Sequence, residues 1–259
     1  MYIDNNFYYN SIIIFIILCS FSAPNLIKPY IIAMCIILIY INIKTNIIMH
    51  MDNVIIENNI TKYVIGDFEL YEIDNILSND ECDQLINMSK NIGLEKSNVL
   101  NESGIELDTE IRTCEQLWLP NNYNNIISKI SDYNQTLTKL PYENQEDIQF
   151  VHYYSGGMFK LHADACVYDK VTCDKTANRN NSGQRKSTLL IYLNDNFEQG
   201  ETEFPSFNKK VIPKKGKGIF FYNIDRNNNV LRDSYHIGNP VVNGEKWIAT
   251  IWTHVNKFI

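Results

Sequence analysis

Apolar residues along this chain first run together without charge, then recur at helical spacing, and finally alternate in short bursts. Phe7 to Ile27 is an uncharged run of 21 residues, and Pro29 to Ile43 is a second of 15, between Lys28 and Lys44. A helix needs about 20 apolar residues to cross a bilayer, so the first run is long enough and the second is short. No Lys or Arg precedes the first run, which fits a cleaved signal peptide poorly. Residues 1–50 therefore read as a hydrophobic leader and membrane anchor, and 51–63 as a linker. A buried helical hairpin is the alternative.

From Val64 the pattern is globular. Phe68 to Ile76 reads as a strand. Ser78 then offers an N-cap with Glu81 three residues on, opening a helix whose apolar face is Cys82, Leu85, Ile86 and Met88. Ile126, Ile127, Ile130 and Tyr133 predict a second helix over residues 124–137. After Ile148 the runs are short and β-type: 149–154, 187–193, 201–204, 211–212, 218–222, 234–236 and 246–255. Gly, Asn and Pro punctuate them, a spacing that favours a sandwich or barrel over βαβ units. Residues 170–184 form a polar stretch long enough to act as a flap.

A formal net charge of -7 argues against a nucleic-acid partner, because phosphate binding needs a positive field. No C-x-x-C pair occurs, so a zinc ribbon or thioredoxin-type site is unsupported. Cys166 and Cys173 either close a short disulfide loop in an oxidising compartment or stand as two thiols.

The segment from Tyr153 to Asp164 carries the candidate chemistry. In a strand, residues two apart share a face, so His162 and Asp164 would project together. An imidazole beside a carboxylate suits a first-row metal, and one more His would complete a facial triad with open positions. Alone, His-x-Asp is weak, since a hydrogen-bonded structural pair gives the same pattern. His236 is the natural third ligand by elimination among five histidines. In the last strand, Lys246, Ile248, Thr250, Trp252 and His254 share one face, and Trp247, Ala249 and Ile251 share the other. A lysine there either snorkels to water or pairs with an anion inside the barrel.

Over residues 64–256 these features, in order, resemble the prolyl 4-hydroxylases of the Fe(II)/2-oxoglutarate dioxygenase superfamily. The resemblance is carried by the Asp74–Cys82 opening, Ile111–Thr113, Tyr153–Asp164, Gly183–Arg185, Thr188–Asn194, Gly200–Pro205, Pro213–Gly216, His236 and Lys246. It implies a mainly β domain over 64–259, a double-stranded β-helix (jelly roll) with N-terminal helices. It implies Fe(II) on His162, Asp164 and His236. Lys246, Tyr153 and Thr202 would hold 2-oxoglutarate, and Arg112, Glu146, Arg185, Trp252 and His254 would contact the peptide. The implied activity is hydroxylation of proline to 4-hydroxyproline in collagen-like or Pro-rich proteins, with O2 and 2-oxoglutarate consumed, succinate and CO2 released, and L-ascorbate rescuing oxidised iron. The alternatives are the same chemistry on another residue such as lysine, or a non-catalytic jelly-roll binding module. The family often has Ser where this chain has Cys114, which puts one peptide hydrogen bond in doubt. With the leader, the expected setting is a membrane-anchored protein of the endoplasmic reticulum with a soluble catalytic domain.

Overall fold

In the computed structural model the described residues are 54–258, apart from 98, 102–103, 107–110, 176–177 and 179–180. The two uncharged runs, and the anchor read from them, lie outside these residues. Among the described residues no helix is long and apolar enough to cross a membrane.

In chain order the strands before the first helix are β1 (Val54–Glu57), β2 (Ile60–Ile65) and β3 (Phe68–Ile73). Helix α1 (Asn79–Ile92) precedes β4 (Glu95–Lys96), β5 (Val99–Asn101), β6 (Gly104–Glu106) and β7 (Glu115–Leu119). Helix α2 (Asn125–Thr138) precedes β8 (Ile148–Tyr153) and β9 (Phe159–His162), and the short helix α3 (Lys170–Lys175) follows them. The remainder is β10 (Arg185–Tyr192), β11 (Glu198–Gln199), β12 (Thr202–Phe204), β13 (Lys209–Val211), β14 (Gly218–Tyr222), β15 (His236–Gly238), β16 (Val241–Asn243) and β17 (Lys246–His254).

Nine strands form one sheet in the order β1-β2-β3-β14-β10-β17-β8-β7-β4, and four form a second in the order β13-β12-β15-β9. The large sheet is covered on both faces, and residue parity decides which face does what. Trp247, Ala249 and Ile251 of β17, with Leu189 and Ile191 of β10, pack against Cys82 and Leu85 of α1 and Ile127 and Ile130 of α2. The alternate residues Val151, Leu190, Tyr192 and Ile248 turn the other way, toward Phe204 and Val211 of the small sheet. Each such fully buried apolar side chain contributes about 1.5–3 kcal/mol of transfer free energy. The result is a jelly roll braced by helices on the outer face of its large sheet, as the sequence led one to expect.

Both helix starts form as read. Ser78 and Glu81 make a reciprocal capping box, and Asn124 caps α2 through the Ile127 amide. Three expectations are corrected. Residues 51–63 are not simply a linker: β1 lies within that span, and β2 begins there and pairs antiparallel with β3 from Ile60↔Ile73 onward. Asn58, in the left-handed region at φ 53°, makes the turn between them, and in so Asn-rich a sequence it gave no distinct signal. The first expected strand stops at Ile73 rather than Ile76, because Asn75 turns the chain at φ 58°. The strand placed over 234–236 starts only at His236, after a 3-10 turn at Arg232–Ser234.

Candidate active site

Strands β9 and β15 pair antiparallel with His162 opposite His236, which brings the two imidazole centroids to 4.2 Å. Asp164 does not reach them by strand parity. β9 ends at His162, and the bend that follows returns the carboxylate, with Oδ1 3.8 Å from His162 Nε2 and Oδ2 3.9 Å from His236 Nε2. One ligand atom from each residue lies within 4.8 Å of the others, and among the described residues this is the one such cluster.

The backbone sets both tautomers. His162 Nδ1 lies 2.7 Å from the Lys160 carbonyl and His236 Nδ1 2.9 Å from that of Ser234. A carbonyl only accepts, so Nδ1 carries the proton and Nε2 presents a lone pair to the cluster. Phe159 stacks on His162 at 3.5 Å. Burial, and then neighbouring His236, push the His162 imidazole down to about 3, so its ring is neutral. Burial works against ionisation of Asp164. The nearby Arg185 charge and the donating Thr188 hydroxyl act the other way, and the carboxyl is held below its usual range. Two imidazole nitrogens and one carboxylate on one side of a cavity are the donor set of non-haem Fe(II) sites with open positions.

That cavity runs between the two sheets. Besides the triad its walls include Arg112, Gln149, Tyr153, Thr202, Lys246 and Trp252. Lys246, opposite Tyr153 on β8, is 2% exposed. Its Nζ donates to the Gly200 carbonyl at 2.7 Å, and among the described residues it has no carboxylate ion pair. Burial pushes the ammonium down to about 8 despite the charge of Glu201. Thr202 is buried, and its Oγ1 accepts from the Tyr192 hydroxyl at 2.7 Å. Burial raises the Tyr153 phenol, which also contacts Arg112. The cavity therefore holds a desolvated cation near the Tyr153 and Tyr192 rings, at 5.3 and 5.6 Å, with no carboxylate partner among the described residues, which fits a ligand carboxylate.

The five residues tied to peptide contact divide into two groups. Arg112 and Trp252 line the cavity. Glu146, Arg185 and His254 form a cluster beside it. Arg185 donates to both Glu146 oxygens, by Nη2 at 2.8 Å and also by Nε, while His254 Nε2 stands 2.7 Å from Glu146 Oε1. Burial would raise the Glu146 carboxyl, but Arg185 and His254 hold it at about 2. Arg185 lies over the Trp252 ring at 3.9 Å, so Glu146 and His254 fix the guanidinium from behind. Cys114 stays engaged where the family often has Ser: its Sγ accepts from Arg112 Nε and donates to Ser97 Oγ, each at 3.1 Å. Cys166 and Cys173 are disulfide-bonded, which decides between the two alternatives, and Gln184 clamps the backbone N–H and carbonyl of Cys166.

Sequence reasoning passed over Thr188, Tyr192 and Gln149. Thr188 donates to Asp164, Tyr192 to Thr202, and Gln149 accepts from Arg112. Pocket parity on β8 and β10 was the signal that could have found them.

Residues 148–254 match the model of the 2OG-Fe(II) oxygenase superfamily. An Acanthamoeba polyphaga mimivirus protein bearing the prolyl 4-hydroxylase name is 34% identical over 189 residues, spanning 73% of this chain and 75% of that one. Prolyl 4-hydroxylase 2 of Arabidopsis thaliana is 33% identical over 226 residues, spanning 79% of this chain and 73% of its own length. Among solved structures, the viral collagen prolyl hydroxylase of Paramecium bursaria Chlorella virus-1, in complex with 2OG, superposes with a TM-score of 0.58 at 30% identity. The match covers 71% of this chain and 95% of that one. With such identity sustained over most of both chains, this protein belongs to the prolyl 4-hydroxylase family of 2OG-Fe(II) oxygenases.

Proposed function

We propose that this protein hydroxylates C4 of proline in Pro-rich or collagen-like peptides. The reaction would consume O2 and 2-oxoglutarate and release succinate and CO2. The observation that carries the reading is one cavity holding both an open three-donor cluster and the buried, carboxylate-free Lys246. His162, Asp164 and His236 would hold Fe(II), which when bound supplies O2 activation coupled to oxidative decarboxylation of 2-oxoglutarate. Lys246 then binds the distal carboxylate, assisted by the hydroxyls of Tyr153 and Thr202. Val151, Leu190 and Ile248 keep the surrounding wall apolar, which excludes water and strengthens that ion pair. L-Ascorbate serves as the reductant that rescues iron oxidised in uncoupled turnovers.

Peptide recognition falls to the outer wall. Proline presents a ring and a carbonyl with no charge, so the site grips shape and backbone. Trp252 lines the cavity and carries Arg185 over its ring at 3.9 Å, so the two side chains together form one wall against which a pyrrolidine ring would pack. Trp252 Nε1, buried and without a hydrogen-bond partner among the described residues, is a donor for a peptide carbonyl. Arg185 adds a guanidinium already fixed by Glu146. Extended polyproline II peptides have little conformational entropy left to lose on docking. Arg185→Ala and Trp252→Ala are expected to raise the peptide KM by at least about tenfold, the loss of one hydrogen bond to a charged or desolvated group. The KM for 2-oxoglutarate should barely change. Wild-type peptide kinetics in both variants would contradict this assignment. The reading as a whole is tested by succinate release: a Pro-rich peptide stimulates it, and the same peptide with alanine at every proline does not. Equal stimulation by both peptides would move the target to another residue.

The leader belongs to the same proposal, as a membrane anchor placing a soluble catalytic domain at the endoplasmic reticulum. Its basis is the uncharged run from Phe7 to Ile27. The full chain should resist carbonate extraction while a chain beginning at Asp52 is soluble and active. A full chain recovered wholly in the soluble fraction would exclude the anchor.

A further inference from the structure

Thr188 sits on β10 with the parity that points into the cavity and is 1% exposed. Its hydroxyl donates to Asp164 Oδ2 at 2.6 Å. Behind it stands Asn223, 0% exposed, whose Nδ2 donates to Thr188 Oγ1 at 2.9 Å. Asn223 is itself fixed by its backbone, which donates to the Lys186 carbonyl at 2.8 Å and accepts from the Leu231 amide at 2.9 Å. A hydroxyl has one proton to give. Because the amide donates into the Thr188 oxygen, that proton is directed to Asp164 and nowhere else.

A carboxylate free to rotate spends part of its time turned away from the two imidazoles, which weakens the site as a whole. A carboxylate with one oxygen held by a buried hydroxyl presents the other. We propose that Thr188, backed by Asn223, is a positioning residue that holds Asp164 Oδ2 and so keeps Asp164 turned toward the metal position beside His162 and His236. Thr188 acts through the ligand Asp164, to which its hydroxyl donates. The proposal rests on the reading of His162, Asp164 and His236 as the metal site.

Mn(II), which binds oxygen and nitrogen donors without oxidation, is the probe. Its dissociation constant is measured by calorimetry on the full chain, with near-ultraviolet circular dichroism confirming native packing. Thr188→Val, nearly the same shape without the hydroxyl, should weaken Mn(II) binding about 10–100-fold, the usual cost of losing a partner of a metal ligand. Thr188→Ser keeps the hydroxyl and should stay close to wild type. Asn223→Ala should weaken binding less than Thr188→Val, since it frees the hydroxyl without removing it. Wild-type affinity in Thr188→Val overturns the proposal. So does an equal loss in Thr188→Ser, which would assign the effect to packing. If Thr188→Val does not fold, unchanged affinity in Asn223→Ala overturns it and weakened affinity supports it. Failure of the unaltered protein to bind Mn(II) would instead overturn the metal-site reading itself.

Discussion

His162→Ala, Asp164→Ala and His236→Ala each reduce 2-oxoglutarate decarboxylation to background while the protein stays folded. The expectation follows from the number of ligands. A three-donor site that loses one donor loses most of its metal affinity and the facial geometry that keeps the remaining positions together. The fold survives because the triad adds little to either core layer: His162 and Asp164 lie at and beyond the end of β9, away from the helix-braced face. His236 is the most integrated of the three, packed against Phe204 and Phe221 at 5.5 and 5.1 Å. Its removal should lower the melting temperature most. Succinate release and thermal denaturation on each variant check both halves, and substantial residual decarboxylation in one variant would remove that residue from the triad.

Lys246→Ala raises the KM for 2-oxoglutarate at least about a hundredfold, because breaking a buried charge pair on one side costs about 3–5 kcal/mol. The alternative reading of the sequence, a lysine snorkelling to water, is removed by its 2% exposure and by the Gly200 carbonyl that Nζ meets inside the cavity. A pH dependence follows from the same burial. The ammonium is the form that binds an anion, and burial has pushed it down to about 8 in the ligand-free protein. Affinity for 2-oxoglutarate should therefore be level below about pH 8 with respect to this group. Above that it should fall roughly tenfold per pH unit, as the lysine loses its proton. An unchanged KM in the alanine variant would take Lys246 out of the cosubstrate site.

Long, regular alternation made β17 legible: residues 246–252 fall on the faces that strand parity assigns, Lys246 inside and Trp247 against the helices. The helix caps were legible because capping is local. Asp164 was identified for the wrong geometric reason, since the end of a four-residue strand is not marked by side-chain pattern. β2 was missed because every one of its residues is half-buried, which erases the in–out contrast that marks a strand. Thr188 and Tyr192 read as ordinary β-formers, and only the three-dimensional approach of Asp164 and Thr202 reveals their hydrogen bonds. The Cys166–Cys173 bond depended on loop closure, about which a spacing of 7 says little.

The most direct test of the central claim is mass spectrometry of a Pro-rich peptide and a collagen-like peptide after incubation with the protein, Fe(II), 2-oxoglutarate and L-ascorbate. Fragmentation should place one added oxygen on proline, and hydrolysis should yield 4-hydroxyproline, in amounts matching the succinate released and absent with Asp164→Ala. Succinate released with the oxygen on another residue, or with neither peptide altered, would contradict the prolyl assignment while leaving the metal and cosubstrate sites in place.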